Sequence, residues 1–169
     1  AANLWGFRWA HPYLNMVVWW IRFHHVASII ATAAVPTLDH AIYIGRNCTA
    51  CSGGQTVSFA TNAQKKRVSI ANTGLSLGSM QYATGGAITF TATVDTQPIK
   101  YKGCYAAIAN PSGAMEQDYE GTQFFIDRGG PLILMQNEGL VMRAVTAYTN
   151  AHTISYYVEM AWSEVPAGI

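Results

Sequence analysis

Regular alternation of apolar and polar residues near the C-terminal end most limits how this chain can fold. From residue 153 to residue 163 the apolar members are Ile154, Tyr156, Val158, Met160 and Trp162. Successive side chains of a β-strand point to opposite faces, so a period of two is typical of an antiparallel strand with one face in a core. Such a strand is predicted here, and it requires partner strands.

Two further strands are predicted immediately before it, over residues 132–135 and 140–145. The residues between them, 136–139, are polar and end in a glycine. Because glycine adopts positive φ without steric cost, Gly139 is predicted to take the left-handed position of this turn.

The rest of the chain repeats short apolar segments separated by turn residues, at the spacing of about 8–12 residues that is typical of sandwiches and barrels. No capped segment with helical periodicity reaches the usual length of a helix. The 169 residues suit one domain. We therefore predict an all-β fold, with an extended aromatic N-terminal arm over residues 1–12 and a single antiparallel β-sandwich of jelly-roll type over residues 13–169.

Residues 13–35 are apolar over a length that invites a membrane span. Strongly polar or ionisable residues interrupt this stretch at Asn15, Arg22, His24 and His25. A charge near the middle of a span costs about 2.5–3.5 kcal/mol, so we predict no membrane segment. β-branched and aromatic residues favour two strands, roughly 16–23 and 25–32, either separate or continuous around a bulge. A buried helix is the alternative.

A scarcity of charge suggests extensive contact with other subunits. Charged residues are 11% of the chain, against about 25% in typical globular proteins, and a free monomer usually keeps more charge for solubility. Trp5, Phe7 and Trp9 are costly to leave in water. They pack either on the chain's own core or on a neighbour, and we predict the neighbour. Trp19 or Trp20 is the second choice of interface residue.

Three cysteines, Cys48, Cys51 and Cys104, leave an odd number, which argues against a full disulfide framework. The CxxC pair lacks the further ligands that a zinc site requires. Glycines follow it at 53 and 54, so small residues in a turn are predicted, with a disulfide as the alternative. Adjacent His24 and His25 would point to opposite faces of a strand and would not share a metal.

No catalytic motif is present, so we predict neither catalytic residues nor a cofactor or metal, and no enzyme. The remaining enzymatic alternative is a pair of glycosidase carboxylates drawn from Asp39, Asp95, Glu138, Glu159 and Glu164. Arg143 and Glu159 are instead predicted to pair with each other across adjacent strands. A net charge of +1 provides no basic field for phosphate contacts, so no nucleic acid is predicted as a partner.

Nine residues within 131–143, followed by three near the end, resemble a group of uncharacterised tailed-phage virion proteins. The matching residues are Pro131, Leu132, Leu134, Gln136, Asn137, Glu138, Gly139, Val141 and Arg143, then Trp162, Ser163 and Glu164. Residues 60–74 also look like a basic stretch and loop of that group. The resemblance covers about the C-terminal two thirds and brings no active site; residues 1–12 and the run VVWWIRFHH depart from the pattern.

The resemblance implies a structural β-sandwich subunit located on a phage particle: a capsid decoration or cement protein, a head-fibre base or a tail component. The implied partners are identical subunits, in a trimer or a larger assembly, and other virion proteins such as the major capsid protein. The alternative is a receptor- or carbohydrate-binding jelly-roll module of a phage tail or fibre, because exposed Trp and Tyr on a sandwich can stack on sugars.

Overall fold

Strands and no helices form the regular structure of the part described by the computed structural model, which comprises residues 2–29, 40–58, 78–84, 86–102, 115–117, 122–123, 130–145 and 153–168. The long strands are β1 (Asn3–Trp9), β2 (Leu14–Ile29), β3 (His40–Ser52), β6 (Thr89–Val94), β11 (Glu138–Ala144) and β12 (Thr153–Pro166). The short ones are β4 (Gln55–Thr56), β5 (Ser79–Tyr82), β7 (Lys100–Lys102), β8 (Met115–Gln117), β9 (Thr122–Gln123) and β10 (Leu132–Leu134).

These strands form two antiparallel sheets. The large sheet has the order β4-β5-β1-β11-β3-β6, with β7 also paired to β3. The small sheet has the order β10-β2-β12, with β8 and β9 also paired to β2. Apolar side chains from both sheets meet in one core, so the predicted all-β sandwich is confirmed at this level.

The main core lies between the sheets and is built by alternate residues of the long strands. Its buried members are Trp5, Phe7, Trp9, Met16, Val18, Ile21, Ile42, Met80, Leu134, Leu140 and Met142. Val158, Met160 and Trp162 of β12 pack against them. The alternation that predicted this strand therefore also identified its inward face.

Residues 3–9 differ from the predicted arm. They form β1, which lies inside the large sheet, paired with β5 on one side and β11 on the other. The side chains of Trp5, Phe7 and Trp9 are only 2%, 0% and 0% exposed. Three bulky aromatic rings gain most by removal from water into the chain's own core, so in this conformation they have no surface to offer a neighbour.

Residues 14–29 are one continuous strand, which confirms the strand interpretation over the buried helix. β2 pairs with β12 from Leu14↔Pro166 to Ile29↔Thr153. The side chains of His24 and His25 are not among the described parts of the structure. The whole of Cys104 also lies outside the described residues.

A second, smaller core covers the opposite face of the large sheet. Val141 lies between two main-core residues of β11 and therefore points the other way, where it packs with Cys48, Cys51, Ile88 and Phe90. Residues 88–93 alternate, with Ile88 and Phe90 buried and Thr89, Thr91 and Thr93 exposed. The large sheet is thus apolar on both faces over its central strands.

A bulge in β3 makes this second core possible. Arg46 pairs with Thr93 and Ala50 pairs with Thr91, so residues 47–49 lie opposite a single residue of β6. Extra residues of this kind bend a strand, and Asn47 takes a positive φ of 52° within the bulge. The turn predicted at Cys48 is therefore wrong, because the chain continues as strand through Ser52.

Candidate interface on the outer face of the small sheet

A bulge at Trp19 turns two neighbouring tryptophans to the same side of the small sheet. Val18 pairs with Trp162 and Trp20 pairs with Ala161, so Trp19 has no residue opposite it. Val18 and Ile21 point into the main core. Alternation on either side of the bulge then directs both Trp19 and Trp20 to the outer face.

Other apolar residues lie beside these tryptophans. Ile133 of β10 pairs with Val17, which is two residues before Trp19 in β2. Met135 is two residues after Ile133 and therefore points to the same outer face by alternation. Trp19, Ile133 and Met135 are 37%, 51% and 54% exposed. We name this surface the outer-face patch, and its residues are Trp19, Trp20, Ile133 and Met135. The outer face of an antiparallel sandwich is normally polar, so this apolar patch is the candidate interface of the described part of the chain.

The orientation of the Trp19 ring is fixed within the protomer. Its indole Nε1 donates a hydrogen bond to Ser163 Oγ at 2.8 Å, across the pair of strands β2 and β12. An aromatic ring held in this way loses little conformational entropy when a partner packs on it. The patch is thus pre-organised for contact.

An ion pair borders the outer-face patch. Arg22 and Glu159 are directly opposite in β2 and β12, and Arg22 Nη1 lies 3.9 Å from Glu159 Oε2. The prediction that Glu159 pairs with Arg143 is wrong, because β11 and β12 belong to different sheets. Arg143 instead donates from Nε to Asn3 Oδ1 at 3.0 Å and lies over the ring of Tyr43.

The structure thus divides the five predicted interface residues. Trp5, Phe7 and Trp9 are core residues, whereas Trp19 and Trp20 lie together on the outer face, where their contact with a partner stays a prediction. Ile133 and Met135 were missed. The signal was available, since residues 132–135 are apolar at every position, which exceeds what a strand with one solvated face requires.

The resemblance block forms a corner where the chain passes from the small sheet to the large one. Asn137 has a φ of 63°, and its backbone N–H donates to Trp9 O at 2.8 Å while its carbonyl accepts from Cys48 N at 2.6 Å. Arg8 donates from Nη2 to Asn137 Oδ1 and from Nε to Cys48 O, each at 2.8 Å. The corner is therefore tied to β1 and β3.

Glu138 closes the same corner. Its Oε2 accepts from Met135 N at 2.9 Å, and its Oε1 accepts from Arg46 Nη1 at 3.1 Å. Arg46 also binds both carboxylate oxygens of Asp95, and the hydrogen bond and charge of Asp95 raise the pKa of the Arg46 guanidinium. Both carboxylates are thus engaged by one arginine and the backbone, which is an architectural role.

Other chemistry predicted or considered from sequence has limited support in the described part of the chain. Its residues contain no group of three or more His, Cys, Asp or Glu side chains close enough to hold a metal ion. Asp39 lies outside the described ranges. Glu159 is paired with Arg22 on the outer face, and Glu164 accepts a 3.4 Å hydrogen bond from Trp162 Nε1.

Cys48 and Cys51 are free thiols buried in the second core. Burial raises the pKa of Cys48, and burial together with the neighbouring Cys48 raises the pKa of Cys51 to about 12. Since the thiolate is the reactive form, neither group is activated as a nucleophile. Gly6 is the reason that Cys51 fits, because a Cβ at that position would lie only 3.0 Å from its Sγ.

Raising the pH is expected to destabilise the protein partly through Cys51. The pKa of this thiol is about 12 in the folded chain against an ordinary value of 9.0. The folded state keeps a proton that the unfolded state releases, so a contribution present below about pH 9 is lost as the pH approaches 12. Urea midpoints at about pH 8 and about pH 10.5 measure the loss. Cys51→Ala should reduce it, and an identical pH dependence in that variant would contradict the assignment.

Within the described ranges, no helix has the length and apolarity needed to cross a bilayer. No protein-family model matches the chain, and neither the curated proteins nor the solved structures contain a significant match to it.

Proposed function

We propose that this protein is a structural, non-enzymatic subunit of a bacteriophage virion, most closely a capsid decoration, cement or head-associated protein. It acts through protein–protein interfaces, as a trimer or larger assembly of identical subunits that also contacts other virion proteins such as the major capsid protein. It requires no cofactor, nucleic acid or membrane for this role.

The observation that carries the proposal is the outer-face patch. A sandwich subunit that worked alone would be expected to present polar residues on that face, whereas here Trp19, Ile133 and Met135 are apolar and exposed. A chain with 11% charged residues has little to keep such a surface solvated, and burial against another protein removes the cost. The resemblance to virion proteins supplies the setting.

A jelly-roll wrapping is part of the same proposal, and the strand order supports it. In the large sheet β11 lies between β1 and β3, and β3 in turn pairs with β6. In the small sheet β10, which precedes β11 in the chain, pairs with β2. Folding a long antiparallel hairpin around a core gives this nesting, in which early strands pair with late ones in both sheets.

The resembling residues have a structural use that suits such a subunit. Gln136 to Gly139 turn the chain from one sheet to the other, and Asn137 and Glu138 use their polar atoms to hold that corner. Residues that hold a corner of the fold can be shared by proteins with the same architecture. The resemblance therefore supports a common architecture with the virion group and implies no catalytic activity.

Mass spectrometry of purified phage particles tests the virion assignment. Particles from a lysate of the source host, separated on a density gradient, are expected to contain peptides of this chain at the level of a structural protein. Its absence from particles, with the protein found only in the soluble lysate, would overturn the proposal. Light scattering of the purified chain tests assembly separately.

Carbohydrate binding is the second candidate, and one observation favours it. The Trp19 indole is tied to β12 by its hydrogen bond to Ser163, and a fixed exposed ring is what stacking on a sugar requires. Titration with host cell-wall glycans should then quench tryptophan fluorescence saturably, and Trp19→Ala should abolish the quenching. A chain that assembles without any such response supports the structural role instead.

A further inference from the structure

We infer that the outer face of the small sheet packs against the same face of a second copy of the chain, about a two-fold axis that runs along the line between β2 and β12. This inference rests on the proposed function, since it names the surface through which the subunits assemble. The partner is identified by the complementarity of the two strands to each other, both in size and in charge.

Large and small side chains are divided between the two strands. On the outer face β2 presents Trp19, Trp20 and Arg22, and the residues of β12 opposite Trp20 and Arg22 are small or acidic. Trp20 is opposite Ala161, and Trp19 is tied to Ser163 by its hydrogen bond. At the pair of Trp20 and Ala161, a large side chain on β2 therefore lies beside a small one on β12.

A two-fold axis between these strands places each strand of one copy over the other strand of its partner. Trp20 of one copy then faces the small Ala161 of the other. Sheets that pack face to face in this manner lie about 10 Å apart with nearly aligned strands. The same surface serves both copies, which is the form of contact that closed symmetry produces.

The charged residues on this face are also complementary between the two copies. Arg22 and Glu159 lie opposite each other across the axis, so the rotation carries the arginine of one copy over the glutamate of the other. Within one protomer the two groups are separated by 3.9 Å. The dimer adds two intermolecular pairs of opposite charge to the intramolecular ones.

The outer face of β2 and β12 beside this axis fits a second copy better than a strongly charged partner. Arg22 and Glu159 contribute opposite charges in equal number, and Trp19, Trp20 and Ala161 are uncharged. A strongly acidic or basic partner gains nothing from such a face, whereas a self-complementary surface satisfies both signs. The contact yields dimers by itself and supplies a two-fold contact within a larger closed assembly.

Two charge reversals test the inference when they are mixed. Arg22→Glu alone places four carboxylates at the axis, and Glu159→Arg alone places four guanidinium groups there. Each variant is expected to weaken self-association by about 10- to 100-fold, because like charges are brought together. An equimolar mixture is expected to restore association, since the two variants are complementary to each other in both intermolecular pairs.

Light scattering and sedimentation of the full chain provide the measurement, with circular dichroism to establish that each variant is folded. Loss of an exposed ion pair costs the protomer little stability, so both variants should fold. Ala161→Arg, which places a long charged side chain where Trp20 of the other copy would pack, should also abolish association. Tyr82→Ser is the matched control, because Tyr82 is 43% exposed on β5 of the large sheet, away from the axis.

The inference is supported if the mixture associates while each variant by itself does not. A wild-type chain that is monomeric at every concentration, a mixture that stays dissociated, or an equal loss in Tyr82→Ser overturns it. The virion proposal fails on a different result. If the chain dimerises as described but is absent from purified particles, the pairing surface is supported and the virion proposal fails. If the chain is present in particles but its association is unaffected by the charge reversals, the virion proposal stands and the subunits assemble through another surface.

Discussion

Replacing Trp9 by alanine is expected to lower the free energy of unfolding by about 4 kcal/mol, the cost typical of removing a large aromatic ring from a core. The ring is fully buried and packs 6.5 Å from Phe7 and 6.0 Å from His11, centroid to centroid. Its Nε1 donates to Leu14 O at 2.7 Å, so the substitution also removes a hydrogen bond. Urea denaturation with an unchanged m-value measures the effect.

Trp19→Ala is the matched control, since it removes the same side chain from the surface. Trp19 is 37% exposed and its loss should change stability by less than about 1 kcal/mol. Its effect is expected on association instead. The opposite ranking, with Trp9→Ala harmless to folding and harmful to assembly, would show that residues 3–9 contact a neighbour after all.

Deletion of residues 1–10 follows the same physical reasoning. β1 supplies backbone partners to both β5 and β11, so its removal leaves two unpaired strand edges inside the large sheet and a cavity where three aromatic rings had packed. The expected product is an unfolded or aggregated chain. A folded monomer would be the result for an arm, and it would contradict the central position of β1 in the large sheet.

The sequence predicted the strands better than it predicted which strands pair and which residues lie close together in space. Alternation identified Val158, Met160 and Trp162 as inward residues of β12, because the side-chain period of a strand is a local property. The β-branched and aromatic residues of β2 predicted it as strand, and the strand continues through Trp19, where one extra residue forms a bulge. Such local patterns predict strands reliably because burying one face of a strand requires apolar residues at alternate positions.

Errors arose where the answer depended on distant parts of the chain. Three aromatic residues at positions 5, 7 and 9 alternate as a strand should, yet only the presence of β5 and β11 decides that they are central. The pairing assigned to Arg143 and Glu159 failed for the same reason, because strands that are consecutive in the chain lie in different sheets of a sandwich.

The outer-face patch was predictable only in part. Trp19 and Trp20 could be selected because adjacent tryptophans cannot both be inward in a regular strand. Their joint exposure needs the bulge, and the neighbourhood of Ile133 needs the pairing of β10 with β2. An interface is assembled from several strands, so its members are visible in the sequence while their proximity is not.

Gly139→Ala is expected to destabilise the fold by about 3 kcal/mol, at the upper end of the usual cost of overpacking. Gly139 is not the positive-φ residue of the corner; that position belongs to Asn137. The glycine lies in β11 opposite Arg8 of β1, where an added Cβ would overlap Phe7 O and lie 3.2 Å from Arg8 Cα. These are backbone atoms, so no side-chain rotation relieves the overlap.

The control is Gly86→Ala, because no described atom lies within 4 Å of a Cβ built at that position. Removing a glycine from an unrestricted site usually stabilises a protein by about 0.4–1 kcal/mol through the unfolded state. Urea midpoints should therefore move in opposite directions for the two variants. If Gly139→Ala were as stable as the wild type, β1 and β11 would not approach as closely as the register requires, and the resembling block would owe its glycine to something other than this contact. If it is unstable, the glycine is needed by the pairing of β1 with β11, and the close approach of Phe7 O explains why position 139 tolerates no side chain.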